Sequence, residues 1–137
     1  MQGNTEPVGD PERSERPEPQ PTGWRFGLDF EDSVIALEYP PGQENVAKAI
    51  EWYLEGLPHE DKEAVQGVLR DWHRLLEEHG PRYSLSTTSA GAIRQGPDTV
   101  RLSSHFDHFE PVVITNTMFE EAVSAYQDFV EHDDRYK

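Results

Sequence analysis

The chain has 137 residues, and its 27 Asp and Glu against 12 Lys and Arg give a formal net charge of −15 at pH 7. Nucleic-acid phosphates and anionic lipid headgroups repel such a chain, which argues against direct nucleic-acid binding and against docking on a membrane. The absence of cysteine excludes thiol catalysis, disulfide bonds and zinc-finger or iron–sulfur ligation. No apolar run approaches the ~20 residues of a transmembrane helix and no signal-peptide pattern is present, so we expect a cytoplasmic protein.

The first 22 residues differ in composition from the rest of the chain. They contain only two apolar side chains, those of Met1 and Val8, but five of the 11 prolines. Such a segment buries too little apolar surface to offset the entropy lost on ordering. The sequence therefore predicts a disordered Pro/Glu-rich tail at 1–22 and a single α+β domain at 23–137.

Alternating apolar side chains predict two strands directly after this tail. The first strand carries them at Trp24, Phe26, Leu28 and Phe30. The second carries them at Ile35, Leu37 and Tyr39. A period of two is typical of a half-buried strand, and the short acidic turn at 31–33 makes the pair an antiparallel hairpin.

The apolar period then changes to 3.6 residues, which indicates two helices. The first has apolar residues at Val46, Ile50, Tyr53, Leu54 and Leu57. The second has them at Ala64, Val65, Val68, Leu69, Trp72, Leu75 and Leu76. The helices are separated only by a short connection around Pro58, so we expect an αα-hairpin.

Strand patterns return in the C-terminal half, from Tyr83 onwards, with a hairpin turn at 95–98 and a short strand at 112–114. Thr117 and Glu120 have the spacing of a capping box, which predicts the start of a last helix. The apolar face of that helix comprises Phe119, Ala122, Val123, Tyr126, Phe129 and Val130. The order β-β-α-α-β-β-β-α indicates an α+β fold, with an antiparallel sheet of about five strands, an αα-hairpin and a C-terminal helix.

The segment at 105–110 is the best candidate for a metal site. On a strand, His105 and Asp107 share one face while His108 points the other way, so three converging ligands require a bend. The alternative is that Phe106 and Phe109 anchor the strand end in the core. We favour the alternative, expect no metal and no cofactor, and rank a metal-dependent enzyme third. Motifs for serine hydrolases and for phosphate or dinucleotide binding are also missing, so we expect a protein that is not an enzyme.

The placement of charge is more informative. Between Arg101 and Arg135 there is no Lys or Arg, whereas this stretch holds eight acidic residues. We therefore expect these carboxylates to lack ion-pair partners. At 100° per residue, the acidic side chains of the last helix fall within one sector of ~100°. The candidate partner-binding residues are Glu120, Glu121, Asp128, Glu131, Asp133 and Asp134.

Two hypotheses account for such a row of carboxylates. The first is a non-enzymatic acidic binding protein, an inhibitor or immunity-type protein whose carboxylates steer a basic partner such as a toxin or a nucleic-acid-binding protein. In its size, its acidity and its lack of cysteine the chain resembles bacterial toxin-immunity proteins as a broad class. The alternative is a small intracellular accessory or interaction domain whose acidity serves only solubility. We expect the first.

Overall fold

The computed structural model describes residues 23–58 and 61–132. The predicted tail at 1–22 and the candidate residues Asp133 and Asp134 lie outside these described residues. The elements are β1 (Arg25–Leu28), β2 (Val34–Glu38), α1 (Glu44–Glu55), α2 (Lys62–Gln66), α3 (Val68–His79), β3 (Tyr83–Ser86), β4 (Ala90–Gly96), β5 (Thr99–Ser104), β6 (Val112–Thr115) and α4 (Asn116–Glu131). The predicted α+β class, the element order and the C-terminal helix are confirmed.

The strands are all antiparallel and divide between two sheets. β1 and β2 form a hairpin, while the larger sheet has the order β3-β4-β5-β6. α1 packs against β4, β5 and β6 on one side and against β2 on another, and α4 packs against β1, β5 and β6. These two helices therefore connect the hairpin to the larger sheet. No helix in the described ranges is both long enough and apolar enough to cross a bilayer.

The hairpin differs from its prediction in which side chains face the core. Asp29 Oδ1 accepts hydrogen bonds from the backbone N–H groups of Glu31 at 2.8 Å and Ser33 at 3.0 Å, so β1 ends at Leu28. Phe30 is therefore on the turn and is 94% exposed. Cross-strand neighbours share a face, and the pairing sets Val34 and Ala36 against the inward residues of β1. The predicted face of β2 is therefore wrong for Ile35 and Leu37, whereas Tyr39, just beyond the end of β2, packs against the core beside Trp24.

The predicted second helix is two helices that meet at Gly67. The side-chain amide of Gln127 on α4 donates to the carbonyls of Val65 at 3.0 Å and Gln66 at 3.2 Å. These are the last carbonyls of α2, which a helix end leaves without an intrahelical partner. Gln66 Nε2 donates in return to the carbonyl of Gln127 at 2.9 Å. These hydrogen bonds join α2 to α4. All of the predicted apolar residues of α2 and α3 except Ala64 belong to the core or pack against it.

α4 begins earlier than the sequence predicted. The side chain of Thr115, not that of Thr117, accepts from the backbone N–H of Met118 at 3.0 Å. The backbone N–H of Thr117 donates instead to Asp98 Oδ1 at 3.2 Å, which anchors the helix start on the β4–β5 turn. The capping-box assignment is therefore wrong, and the carboxylate of Glu120 is available for other contacts.

Two carboxylates of α1 bind the outer edge of β2. The backbone N–H of Val34 donates to Glu55 Oε1, and that of Ala36 donates to Glu51 Oε2, both at 2.7 Å. The spacing of the two carboxylates matches that of the two N–H groups, because four helical residues span ~6 Å and two strand residues span ~6.6 Å. Burial raises the pKa of the Glu51 carboxyl, against the opposing effect of the hydrogen bond from Ala36.

Candidate functional site

Glu120 is the best positioned of the candidate partner-binding residues. Its Oε2 accepts from Asn116 Nδ2 at 2.8 Å, and its Oε1 lies 3.2 Å from His73 Nε2 on α3. Asn116 is itself fixed, because its Oδ1 accepts from the indole N–H of the fully buried Trp72 at 2.8 Å. A continuous set of contacts from the core to the surface therefore orients this carboxylate.

A shallow groove of about 320 Å³ lies beside this carboxylate, between α3 and α4. The lining residues are Leu69, Asn116, Thr117, Glu120, Glu121 and Ser124. Glu121 is exposed, and no described residue forms a hydrogen bond or an ion pair with its carboxylate. The groove thus combines one apolar side chain with hydroxyl, amide and carboxylate groups. We call it the α3–α4 groove.

The remaining described carboxylates of this row lie further along α4. Glu131 Oε2 is 3.8 Å from Lys62 Nζ, and Asp128 Oδ1 is 3.9 Å from His132 Nδ1. The expectation that the row lacks ion-pair partners is therefore wrong for Glu131, and it is wrong for Glu120 whenever the His73 ring that faces it is protonated. The partners come from α2 and α3, so a count of bases near the acids in sequence could not reveal them. Exposed pairs of this kind contribute little free energy, typically ~0–1 kcal/mol.

The three candidate metal ligands do not converge. β5 ends at Ser104, whose Oγ accepts from the backbone N–H groups of Phe106 at 3.1 Å and His108 at 2.8 Å. At this bend the His105 ring faces the carbonyl of Thr88, and its Nδ1 lies 3.3 Å from that oxygen. Within 23–58 and 61–132, no group of three His, Asp or Glu side chains is placed to hold a metal ion.

The same bend exposes an aromatic side chain that the sequence assigned to the core. Phe109 is 7% exposed, as expected, but Phe106 is 65% exposed. The His108 ring stacks on Trp52 of α1 at 3.7 Å and 5°, and Phe106 lies 6.0 Å from His108 and 6.4 Å from His105 between ring centroids. We call these four rings the aromatic cluster. Sequence reasoning missed it because Trp52 is distant in the chain, although the density of rings at 105–109 was a visible signal.

The structure therefore brings Glu120 and Glu121 together at one groove, with Asp128 and Glu131 further along the same helix. His105 and His108 both contact Phe106, but His105 also faces the carbonyl of Thr88 whereas His108 stacks on Trp52. No family model, no curated protein and no solved structure matches this chain.

Proposed function

We propose that this chain is a non-enzymatic binding protein of the inhibitor or immunity type, and that the carboxylate-rich side of α4 receives a basic partner protein. The observation that carries the proposal is the α3–α4 groove, where the oriented carboxylate of Glu120 and the carboxylate of Glu121, which has no partner among the described residues, adjoin the apolar side chain of Leu69. Charge complementarity of this kind favours a basic partner and disfavours acidic ones.

The chemistry of the groove suits one long cationic side chain. The methylene stem of an arginine or lysine can pack on Leu69 while its charged head approaches the carboxylates of Glu120 and Glu121. A volume of about 320 Å³ is sufficient for a single such side chain. Because Asn116 and His73 already orient Glu120, little side-chain entropy is lost when a cation binds there.

The other carboxylates of the row have a different part in this proposal. Asp128 and Glu131 lie on the exposed side of α4 and accelerate association through their field, as rim charges do. Asp133 and Asp134 continue the acidic run in the sequence. Breaking the exposed Lys62–Glu131 pair costs little, so this pair does not prevent Glu131 from meeting a partner.

The accessory-domain alternative has one observation in its favour. Glu120 and Glu131 already have cationic or potentially cationic neighbours in His73 and Lys62. If those contacts satisfy the row, its acidity serves solubility and another surface binds the partner.

An octa-arginine peptide is a suitable probe for separating the two functions. We expect titration into the isotopically labelled full chain to shift the amide signals of Leu69, Glu120, Glu121 and Ser124 most. We also expect the affinity to fall with added salt. The double variant Glu121→Lys/Asp128→Lys should weaken binding several-fold.

The matched control reverses Glu63 and Glu77, which are exposed on α2 and α3, and changes the net charge by the same amount. It should bind the peptide better than the α4 variant does. Equal loss of affinity in both double variants means that net charge alone attracts the peptide, and the accessory-domain alternative then replaces the proposal.

A further inference from the structure

Phe106 is exposed although the loop that carries it is held in place. The backbone N–H groups of Phe106 and His108, both within the loop, donate to Ser104 Oγ, and the N–H of His105 donates to the carbonyl of Ser89 at 2.9 Å. Asn45 Nδ2 donates to the carbonyl of Glu110 at 3.3 Å, and the buried Phe109 anchors the same end of the loop. An aromatic side chain presented by a fixed loop can bind a partner without a loop-ordering cost, as anchor residues of interfaces do.

The rings around Phe106 form a continuous surface rather than an isolated apolar point. The contacts run from Trp52 to His108, then to Phe106 and His105. Ring faces and edges of this kind attract other aromatic rings and also guanidinium groups. A second aromatic side chain can therefore extend the stack.

The loop that carries Phe106 contributes only negative charge beside these rings. Asp107 and Glu110 are exposed, and neither side chain forms an ion pair with a described residue. The sequence from 102 to 110 contains no Lys or Arg. A segment that covers the rings must therefore bring positive charge to these carboxylates or leave them without compensation.

We propose that the aromatic cluster is a second docking surface, distinct from the α3–α4 groove, and that its occupant is a cationic peptide segment carrying aromatic side chains. The aromatic side chains stack on Phe106 and His105. The cationic side chains pair with Asp107 and Glu110. This surface is independent of α4, so it does not depend on the function proposed above.

Phe30 is the matched control that the chain itself offers. It is 94% exposed and has acidic neighbours in Asp29 and Glu31. Within the described part of the chain, no aromatic ring packs against it. If exposure and acidity were enough for docking, Phe30 would serve as well as Phe106.

The test compares two octapeptides of equal charge, one alternating arginine with tryptophan and the other alternating arginine with serine. We expect the tryptophan peptide to bind the full chain roughly tenfold more tightly, because only it can stack on the rings. The largest shifts should fall on the Trp52 indole N–H and on the amides of residues 105–108. Phe106→Ser should reduce its affinity to that of the serine peptide, while Phe30→Ser should leave it unchanged.

Each other outcome overturns the inference. Equal affinity of the two peptides shows attraction by charge alone. Shifts confined to the α3–α4 groove assign the peptide to the groove, which supports the proposed function but removes the second surface. An equal loss in Phe30→Ser and Phe106→Ser shows adhesion to any exposed aromatic residue. Thermal unfolding of both variants checks that the fold is retained.

Discussion

α1 and α4 both carry carboxylates that are partly or fully exposed, but the two helices use them differently. On α1, Glu51 and Glu55 each accept a hydrogen bond from a backbone N–H of β2. On α4, Glu121 has no partner among the described residues, and Glu120 is oriented by side chains without contacting another backbone. Sequence alone therefore does not assign the acidic residues of a helix surface to solubility, structure or binding. Their role depends on whether a neighbouring element offers them a hydrogen-bond donor.

The largest expected loss of stability comes from truncating Trp72, which supports the α3–α4 groove from the core. Trp72 is fully buried, and its ring lies 4.6 Å from Phe119 and 4.8 Å from Tyr83. Truncation of such a side chain typically costs ~3–5 kcal/mol, so Trp72→Ala should lower the free energy of unfolding by that order. Chemical denaturation measures it.

Trp72→Phe is the sharper variant, because it retains a ring but removes the N–H that orients Asn116. It should cost less stability than Trp72→Ala and should still weaken octa-arginine binding. If the denaturation midpoint of Trp72→Ala equals that of the wild type, Trp72 does not support the α3–α4 groove. The carboxylates of α4 are then not oriented from the core, and the contrast with α1 does not hold.

An intermediate effect is expected on the α1 side. Glu51→Ala or Glu55→Ala leaves a partly buried backbone N–H of β2 without its acceptor, at a cost of ~1–3 kcal/mol each. The matched α4 substitutions, Glu121→Ala and Asp128→Ala, should leave the free energy of unfolding unchanged. Similar losses on both helices would remove the distinction between them.

A smaller effect, of known sign, comes from Glu51→Gln. Burial raises the pKa of Glu51 above its ordinary value of 4.5, so the folded state binds this proton more tightly than the unfolded state does. The resulting gain in the free energy of unfolding is fully present below pH 4.5 and is lost as the pH rises through the raised pKa. The amide oxygen of Gln still accepts from Ala36 without a desolvated charge. We therefore expect Glu51→Gln to be slightly more stable than the wild type at neutral pH and to lose this advantage in acid. Denaturation across this pH range tests it, and a loss of stability at neutral pH would contradict it.

The smallest effect should be that of Glu121→Lys/Asp128→Lys on stability. Both side chains are exposed on a crowded acidic surface, so their reversal should leave the unfolding free energy the same or slightly higher. A decrease comparable to that of Glu51→Ala would mean that α4 also uses its carboxylates for folding.

The sequence predicted those parts of the fold that depend on repeated patterns. The stripe containing Val65, Val68 and Trp72 is buried, although the helix that carries it is broken at Gly67. The two phenylalanines that the sequence wrongly placed in the core, Phe30 and Phe106, both follow a polar side chain that ends a strand. Ser104 bends the chain so that Phe106 points outward.

For the candidate site, the side of the helix that carries the acidic residues was predictable, but their contacts were not. Helical geometry placed Glu120 and Glu121 on one side of α4, and they line one groove. The contacts that orient Glu120 were not predictable, because His73 and Trp72 come from a helix far away in the chain. Local patterns report which face a residue occupies, whereas its contacts depend on how distant elements pack.

The carboxylates that bind the β2 edge have a consequence for aggregation. A strand at the border of a sheet offers free N–H groups to which a strand from another molecule can add, and such pairing is a common route to aggregates. Because Glu51 and Glu55 occupy the N–H groups of Ala36 and Val34, the β1–β2 hairpin is protected at this border. A chain that loses both carboxylates while remaining largely folded should therefore be recovered less in soluble form at high concentration.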